Sequence, residues 1–387
     1  MKQINLPTAG GGTETVQIKM SQQFQKHPER FASRTVLAAP HVVADVTKEY
    51  TPGQAPPVDW EATMDFRRHL FSYGIGVAEA MDTSERGEGG LTWPQAQTLI
   101  KLGLEVANEF NGDIVCGVGT DHIGTGPTNL QEVKGAYLEQ LGFVENLGGA
   151  AVIRASHALV ATAKNSQDYL SVYGDVLSQV SQPAIVHWLG TGFDPSLRGY
   201  WGSEDVRTAM DSVLAMAETY KKQLRGIKFS LLDADLELEF RAKLPEGVKV
   251  FTGDDFGYTD LVLGDGTRHS HGLLGVLDQI APVASRAFAA LDEGDEVTFA
   301  KEMSSTVPLA TKMFEAPADR YKVGVVFLAW LSGFQTHYRM VTGREGMRSL
   351  LHLTDLFRLT NDIGMFPDPD LARSRMASYL ESNGVAQ

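Results

Sequence analysis

One lysine lies at the centre of a short apolar stretch, residues 224–232, and its surroundings suggest amine chemistry. Side chains alternate along a strand, so Ile227 and Phe229 face one way while Lys228 and Ser230 face the other. Burial favours the neutral form of a lysine, which attacks carbonyl carbons and forms a Schiff base. The plainer alternative is a strand-end lysine whose stem is covered and whose ammonium reaches solvent.

Further ionisable residues fall at the ends of other strand-like runs. A single strand-end histidine is more often a hydrogen-bonded structural residue, but several on one face predict a polar pocket with acid and base capacity. The residues at these positions are Glu79, Asp82, Asp121, His122, Arg154, His157, His187, Asp254, Asp255, His269 and His271.

Eight strand-like runs alternate with helix-patterned segments along the chain. The predicted strands are residues 35–40, 74–81, 114–118, 150–153, 184–188, 226–231, 248–251 and 270–276. Strands that alternate with helices pair in parallel through right-handed crossovers, and eight such units close into a barrel. An open doubly wound sheet is the competing fold, but no G-x-G-x-x-G follows the first strand. We therefore predict an α/β protein with a (β/α)8 TIM barrel, whose chemistry lies where the strands end.

The helix pattern continues beyond the barrel to the end of the sequence. We predict an N-terminal extension over residues 1–34, a catalytic barrel over 35–295 and a C-terminal helical extension over 296–387. Residues 323–331 are apolar almost all round, so a helix there is expected to be buried on more than one side. A second subunit would cover the other side, which predicts a homo-oligomer; burial within one chain is the alternative.

Composition restricts the partners and the compartment. The chain has 34 Lys and Arg against 48 Asp and Glu, a formal charge of -14, which repels phosphate backbones and anionic membranes. We therefore predict no nucleic-acid and no membrane partner. The single cysteine, Cys116, fits a reducing compartment. Because no cationic and apolar leader opens the sequence, we expect a cytoplasmic protein.

The order of these features resembles the dihydrodipicolinate synthase and N-acetylneuraminate lyase family, which are aldolase-type barrels. Gly226-Ile-Lys228 is similar to the family's G-[IV]-K motif on the sixth strand, and residues 82–88 resemble its G-T-T-G-E loop with an insertion. Gly253-Asp-Asp255 resembles the G-x-D loop after the seventh strand, and Leu197-Arg-Gly199 the R-T-G segment after the fifth. The resemblance covers roughly residues 36–295, and the trailing helices also fit the family's C-terminal bundle.

This resemblance implies a Schiff base on Lys228 and a carboxylate site at Thr83 and Ser84. The sequence departs from the family in two places. His157 stands where the family has a proton-relaying tyrosine, and the segment from His187 replaces its usual tyrosine, asparagine and proline. The whole pattern resembles the family termed domain of unknown function 993, which implies a fold and leaves the substrate open.

Together these features predict a class I lyase, aldolase or dehydratase that acts on a 2-oxo acid or an oxidised sugar derivative without a cofactor. Lys228 would form the Schiff base, His157 would move the proton, and His187 would orient His157 or the substrate. The remaining residues predicted to bind substrate are Thr83, Ser84, Glu79, Arg198 and Asp254.

Two other function classes stay open. One is a metal-dependent barrel isomerase or hydrolase with nitrogen and oxygen ligands. That ligand set would be Glu79, His122, His157, His187 and Asp254. The sequence has no H-E-x-x-H cluster, and His269-Ser-His271 is its nearest approach to a metal-binding pair. The other class is a non-catalytic ligand-binding barrel, against which the presence of Lys228 counts.

Overall fold

A closed barrel of eight parallel strands forms the centre of the protein. The computed structural model describes residues 2–51, 53–87 and 89–386. An N-terminal hairpin and then the barrel strands follow in this order: β1 (Gln3–Pro7), β2 (Thr13–Gln17), β3 (Val36–Ala38), β4 (Gly76–Glu79), β5 (Ile114–Val118), β6 (Ala150–Ile153), β7 (Ala184–Leu189), β8 (Leu224–Ser230), β9 (Lys249–Thr252) and β10 (His271–Leu274). Each of the strands from β3 to β10 pairs in parallel with the next, and β10 closes on β3. The predicted (β/α)8 TIM barrel is confirmed.

Helices surround the barrel and continue past it. They are α1 (Trp60–Ser72), α2 (Trp93–Phe110), α3 (Leu130–Asn146), α4 (His157–Thr162), α5 (Ser166–Leu177), α6 (Val206–Thr219), α7 (Ala234–Lys243), α8 (Tyr258–Leu263), α9 (Leu277–Asp292), α10 (Glu296–Met313), α11 (Tyr321–Leu331), α12 (Leu350–Ile363) and α13 (Pro369–Ser382). Several begin where a side chain accepts a hydrogen bond from a first-turn N–H group, as Asp59 does for α1 and Asp295 for α10. These caps explain why the helices begin at these residues.

Side-chain alternation on β8 separates the barrel interior from its helical shell. Phe229 packs outward between the rings of Trp188 and Phe240, with centroid distances of 5.3 Å and 5.2 Å. Lys228 and Ser230 point inward and line a cavity. Below that cavity the barrel is filled by an apolar cluster with one or two members from each of seven strands: Leu37, Ala78, Val115, Ala150, Val152, Ile185, Phe251 and Leu273. The apolar filling closes the amino-terminal end and leaves polar residues at the carboxyl end.

The apolar helix predicted in the C-terminal extension is present as α11. Its residues 323–329 and Leu331 are buried, and its neighbours are α9, α10, α12 and α13 of the same chain. The expectation that a second subunit covers α11 was therefore wrong, because the extension itself supplies the cover. The homo-oligomer stays a prediction that this helix no longer supports. In the described part of the chain no helix combines the length and the apolar character needed to cross a bilayer.

The N-terminal extension contains a hairpin that the sequence analysis did not predict. β1 and β2 pair antiparallel around a turn in which Gly11 has a φ of 82°, a left-handed conformation that favours glycine. The hairpin packs on the C-terminal helices, where the backbone N–H of Lys19 donates to Asn361 (3.0 Å) and Arg358 donates to the Pro7 carbonyl (2.8 Å). The two ends of the chain therefore form one structure beside the barrel.

Candidate active site

A cavity of about 1130 Å³ opens at the carboxyl ends of the barrel strands, the end where barrels of this type carry their chemistry. Two parts of the chain form it. The polar residues contributed by the barrel include Asp82, Thr83, Arg86, Asp121, Arg154, His157, His187, Lys228, Ser230 and Asp255. The C-terminal extension contributes Phe314, Asp319, Arg320, Tyr321, Lys322, Val323, Met340, Arg344 and Met347.

Lys228 extends from β8 into this cavity and is only 9% exposed. Within the described residues its Nζ atom has neither a hydrogen bond nor an ion pair. Burial lowers the pKa of Lys228, because the ammonium loses its hydration, while the charges of Asp82 and Asp255 act in the opposite direction. A lowered pKa increases the fraction of neutral amine, which is the nucleophilic form.

Asp255 is the carboxyl group that follows β9, and it is also buried. Its Oδ1 atom accepts a hydrogen bond from the backbone N–H of Val276 at 3.1 Å. Burial raises the pKa of Asp255, although that hydrogen bond and the charge of Lys228 both lower it. Lys228 and Asp255 are thus two buried groups whose ionised forms are disfavoured by the same lack of water.

His187 lies beside Lys228, because the two residues are paired in register between β7 and β8. Its Nε2 atom is 3.1 Å from Ser230 Oγ, and its buried Nδ1 atom lies 3.8 Å from a carboxylate oxygen of Asp82. Burial lowers the pKa of His187 well below its ordinary value, and the charge of Lys228 acts in the same direction. A lowered pKa favours the neutral imidazole of His187, which is suited to orienting a group.

Two arginines on the barrel side of the cavity are paired with carboxylates. Arg154 donates to Asp82 at 2.6 Å and lies 3.5 Å from Asp121, while Arg86 donates to the same Asp121 oxygen at 2.8 Å. Burial raises the pKa of Asp82, but the charge of Arg154 and its hydrogen bond hold that pKa below its ordinary value. These four charges largely neutralise one another, so the arginines are held in place before a ligand arrives.

His157 begins α4 and contacts a carboxylate from the loop after β7. Its Nε2 atom lies 2.6 Å from Asp194 Oδ2. This hydrogen bond raises the pKa of His157, while burial partly opposes it. Asp194 is itself held in place, because its other oxygen accepts the Ser196 N–H at 3.0 Å. The pair can hold a proton at the cavity near neutral pH and release it, as a general acid or base must.

Thr83 lies in the short turn after β4 and contacts the C-terminal extension. Its hydroxyl lies 2.6 Å from the hydroxyl of Tyr321, the first residue of α11. The Tyr321 ring stacks on Phe314 with centroids 4.5 Å apart, and Phe193 approaches both rings from the loop after β7. A hydroxyl pair at the cavity wall therefore depends on a residue far from Thr83 in the sequence.

Ser84, the neighbour of Thr83, does not line the cavity. Its buried hydroxyl donates to the Met81 carbonyl at 2.6 Å and closes the short turn after β4. Of the two residues predicted to bind a carboxylate, the structure thus presents only Thr83 to a ligand. Glu88, which ends the loop compared above with a family motif, lies outside the described residues.

Glu79 also lies outside the cavity, on the opposite face of β4 from the inward-pointing Ala78. The carboxylate accepts two hydrogen bonds from Arg67, at 2.8 Å and 3.0 Å, and both side chains are fully buried. Strand alternation explains the correction: a residue next to an inward-facing one must face the helical shell. Glu79 holds α1 against the barrel and does not contact a ligand in the cavity.

Asp254 and Arg198 are the other two predicted substrate contacts that the structure places elsewhere. Asp254 is buried, and its Oδ1 atom accepts the N–H groups of Phe256 at 2.8 Å and Gly257 at 3.0 Å, so it shapes the loop before α8. Arg198 lies at the surface and pairs with Glu204 at 2.7 Å. Neither side chain lines the cavity, since one stabilises a turn and the other faces water.

The five alternative metal ligands are not brought together. His122 lines the cavity but contacts Gln140 at 2.8 Å and stacks on Trp93. The other four have the separate partners described above. Among the described residues, no group of three or more His, Cys, Asp or Glu side chains is arranged to hold a metal.

The sequence analysis missed several residues of the cavity, among them Arg86, Asp194 and Tyr321. Asp194 had a local signal, because an Asp before a Pro at a turn commonly accepts backbone N–H groups. Arg86 had none, since its partner Asp121 is 35 positions away. Tyr321 follows the barrel by many residues, and only folding of the extension brings it to Thr83.

Comparison with known proteins agrees with this architecture. The family described as "Protein of unknown function (DUF993)" matches residues 4–385, which is nearly the whole sequence. The chain belongs to this family. No protein of curated function matches the sequence significantly.

Solved structures with the same fold include several dihydrodipicolinate synthases. The enzyme from Oceanobacillus iheyensis has a TM-score of 0.63 at 14% identity, with 85% of this chain and 96% of that chain covered. The enzyme from Thermotoga maritima has a TM-score of 0.61 at 15% identity, covering 86% and 99%. The chloride-inhibited enzyme from Acinetobacter baumannii, complexed with pyruvate, has a TM-score of 0.63 at 16% identity, covering 86% and 100%. At these identities the comparison shows a shared fold.

Proposed function

We propose that this protein is a lyase or aldolase that forms a Schiff base between Lys228 and the carbonyl group of a small oxo acid or oxidised sugar. One observation carries the proposal: the Lys228 amine lies buried in the cavity without a hydrogen-bond or ion-pair partner among the described residues. A buried structural lysine is normally paired, since an unpaired buried charge is costly. An amine held in this way is suited to nucleophilic attack.

The chemistry follows from the neutral amine. Its nitrogen adds to the carbonyl carbon, and loss of one water molecule leaves an iminium ion on Lys228. For cleavage, a hydroxyl group on the carbon β to the iminium carbon loses its proton, the bond between the α and β carbons breaks, and the β carbon leaves as a carbonyl compound. The electron pair of the broken bond forms the carbon–carbon double bond of an enamine, and the iminium nitrogen becomes neutral. Protonation of the enamine carbon and addition of water then release the product and restore the amine. The reverse sequence is an aldol addition, and loss of a hydroxyl group from the enamine is a dehydration.

His157 is the residue we assign to proton transfer. The Asp194 carboxylate raises its pKa, so the imidazole can give a proton to a leaving group or an enamine near neutral pH and take it back later. His187 is neutral and hydrogen-bonded to Ser230, which suits it to orienting the adduct on Lys228. Thr83 and Tyr321 present a hydroxyl pair to the same space.

Borohydride trapping tests this assignment. The protein is incubated with pyruvate, other 2-oxo acids and oxo-sugars, each with borohydride, and the intact mass and the peptide map are measured. We expect at least one compound to add a reduced adduct at Lys228 and Lys228→Arg to lose it, because arginine stays charged and is not an amine nucleophile.

A matched control is Lys249→Arg, on the neighbouring strand β9, where the side chain is exposed and does not line the cavity. This variant should keep the adduct. The proposal fails if no carbonyl compound labels Lys228, or if labelling falls on other lysines while Lys228 stays unmodified.

A further inference from the structure

Three cations of the C-terminal extension line the cavity without a hydrogen bond or an ion pair among the described residues. They are Arg320 and Lys322, on either side of Tyr321 at the start of α11, and Arg344 in the loop before α12. In the described part of the chain no hydrogen bond or ion pair reaches these side chains, and the Nε atom of Arg320 is buried without an acceptor. Arg320 and Lys322 are half-buried, so an anion there would be partly shielded from water.

Nearby acidic groups offset the charge of these cations only in part. Burial raises the pKa of Glu85, and the charges of Lys322 and Arg344 act in the opposite direction. Asp319 lines the same wall but is exposed and forms no ion pair with them among the described residues. Glu85 is buried, and its carboxylate accepts a hydrogen bond from Thr342 at 2.6 Å. The chain as a whole has a formal charge of -14, so three cations without ion pairs at one wall of a cavity are not expected from its composition. An anionic ligand would explain them.

The cluster is also adjacent to the amine site. Tyr321 lies between Arg320 and Lys322 in the sequence and contacts Thr83, in the turn after β4. The cations therefore line the same cavity into which Lys228 points. The first turn of α11 has no side-chain cap, and its partial positive charge adds to the same potential. A ligand attached to Lys228 would thus extend toward these side chains.

We propose that the substrate carries a phosphate monoester distant from its carbonyl group, and that Arg320, Lys322 and Arg344 bind this phosphate. The inference deepens the proposed function and rests on it. A phosphate ester has a charge of about -1.5 to -2 at neutral pH and three strong acceptor oxygens, which matches three cations. A carboxylate at this position of the substrate would need only one arginine, in a bidentate pair. It would leave the positive charge of the other two cations unmatched.

A matched pair of ketones tests the phosphate site. Borohydride trapping at Lys228 is measured against concentration with xylulose 5-phosphate, whose phosphate is three carbons from its ketone, and with xylulose. We expect the phosphate ester to reach half-maximal labelling at a concentration about 10-fold or more lower, the scale of one or two charge-assisted hydrogen bonds. Arg320→Gln/Lys322→Gln should lose this advantage, so that the two ketones reach half-maximal labelling at similar concentrations.

The control variant is Arg207→Gln/Lys221→Gln, which removes two exposed, ion-paired cations at α6, away from the cavity. It should keep the full advantage. A phosphate advantage that persists in Arg320→Gln/Lys322→Gln, or no advantage while both ketones label Lys228, would overturn the inference. An advantage of 2-oxoglutarate over 2-oxobutyrate without one for the phosphate pair would overturn it as well, in favour of a carboxylate.

A second measurement separates this inference from the Schiff base. Binding of inorganic phosphate to Lys228→Met is measured by calorimetry, because that variant lacks the amine and keeps the three cations. Binding that weakens about 10-fold or more in Lys228→Met/Arg320→Gln/Lys322→Gln supports the phosphate site even if no ketone labels Lys228. Absence of phosphate binding to Lys228→Met contradicts the site, whatever the outcome of the trapping screen.

Discussion

The two sides of the cavity hold their charges in different ways. On the barrel side, Arg154 and Arg86 are paired with Asp82 and Asp121, and burial favours these contacts over water. On the side of the C-terminal extension, Arg320, Lys322 and Arg344 have no side-chain hydrogen bond or ion pair among the described residues. Paired charges fix the shape of a site before a ligand arrives, whereas unpaired charges gain their partner from the ligand. We therefore expect substitutions on the first side to change folding or chemistry and those on the second to change ligand affinity.

The largest effect is expected where a charge pair is most deeply buried. Glu79→Gln should lower the free energy of unfolding by about 3–5 kcal/mol, because Arg67 would be left as an unpaired buried charge. Chemical denaturation measures the change. Glu105→Gln on the exposed face of α2 is the control and should stay within about 0.5 kcal/mol of the parent protein. A small effect at Glu79 would show that a buried charge pair of the barrel contributes little to stability.

His157→Phe should affect turnover more than stability. It removes the group that we assign to proton transfer and keeps the bulk of the ring, so turnover should fall at least about 100-fold, the scale for loss of a general acid or base. The adduct at Lys228 should still form, since attack by the amine does not need this ring. If the melting temperature falls while the folded protein keeps normal turnover, His157 is a structural partner of Asp194 only.

Asp255→Asn should change the pH dependence of trapping. The negative charge of Asp255 stabilises the ammonium form, so it raises the pKa of Lys228 against the effect of burial. Without that charge the pKa of Lys228 falls further, and labelling reaches its plateau at lower pH. Asparagine keeps an oxygen for the Val276 N–H group. The pH profile of adduct formation measures the shift; Asp260→Asn, exposed on α8, should leave the profile unchanged.

The smallest effect on stability is expected for the extension. Arg320→Gln/Lys322→Gln should change the free energy of unfolding by less than about 0.5 kcal/mol per residue, because neither side chain has a hydrogen bond or an ion pair within the described residues. Thermal melting without added anions checks this. A large loss would mean that the two cations serve folding, and the contrast between the two sides of the cavity would disappear.

Much of the fold could be predicted from the sequence, because it depends on local patterns. All eight barrel strands lie at the predicted places, and β5 and β6 have the predicted bounds. The C-terminal segment predicted to be helical contains α10 to α13. Hydrophobic periodicity and helix caps involve residues a few positions apart, so they can be read without a structure. The N-terminal hairpin was missed although its glycine-rich turn is a local signal.

The site was predicted less completely, because strand ends do not reveal which way a side chain points or what it contacts. Ser84, Glu79 and Asp254 lie at or just after strand ends, as predicted. Ser84 and Asp254 form hydrogen bonds within turns, and Glu79 pairs with Arg67 of α1, so none of the three faces the cavity. Alternation from the inward-facing Ala78 was the signal that excludes Glu79. The hydrogen bonds of the other two residues could not be foreseen from composition or spacing.

What the sequence determined by itself is the barrel and the face of β8 that Lys228 shares with Ser230, because alternation along a strand depends only on neighbouring residues. Only the tertiary structure decided the electrostatics of the cavity. Arg86 contacts Asp121, 35 positions away, and Thr83 contacts Tyr321, 238 positions away. Such pairs form because folding brings distant segments together, and burial then decides which charges are neutralised and which remain available for a ligand.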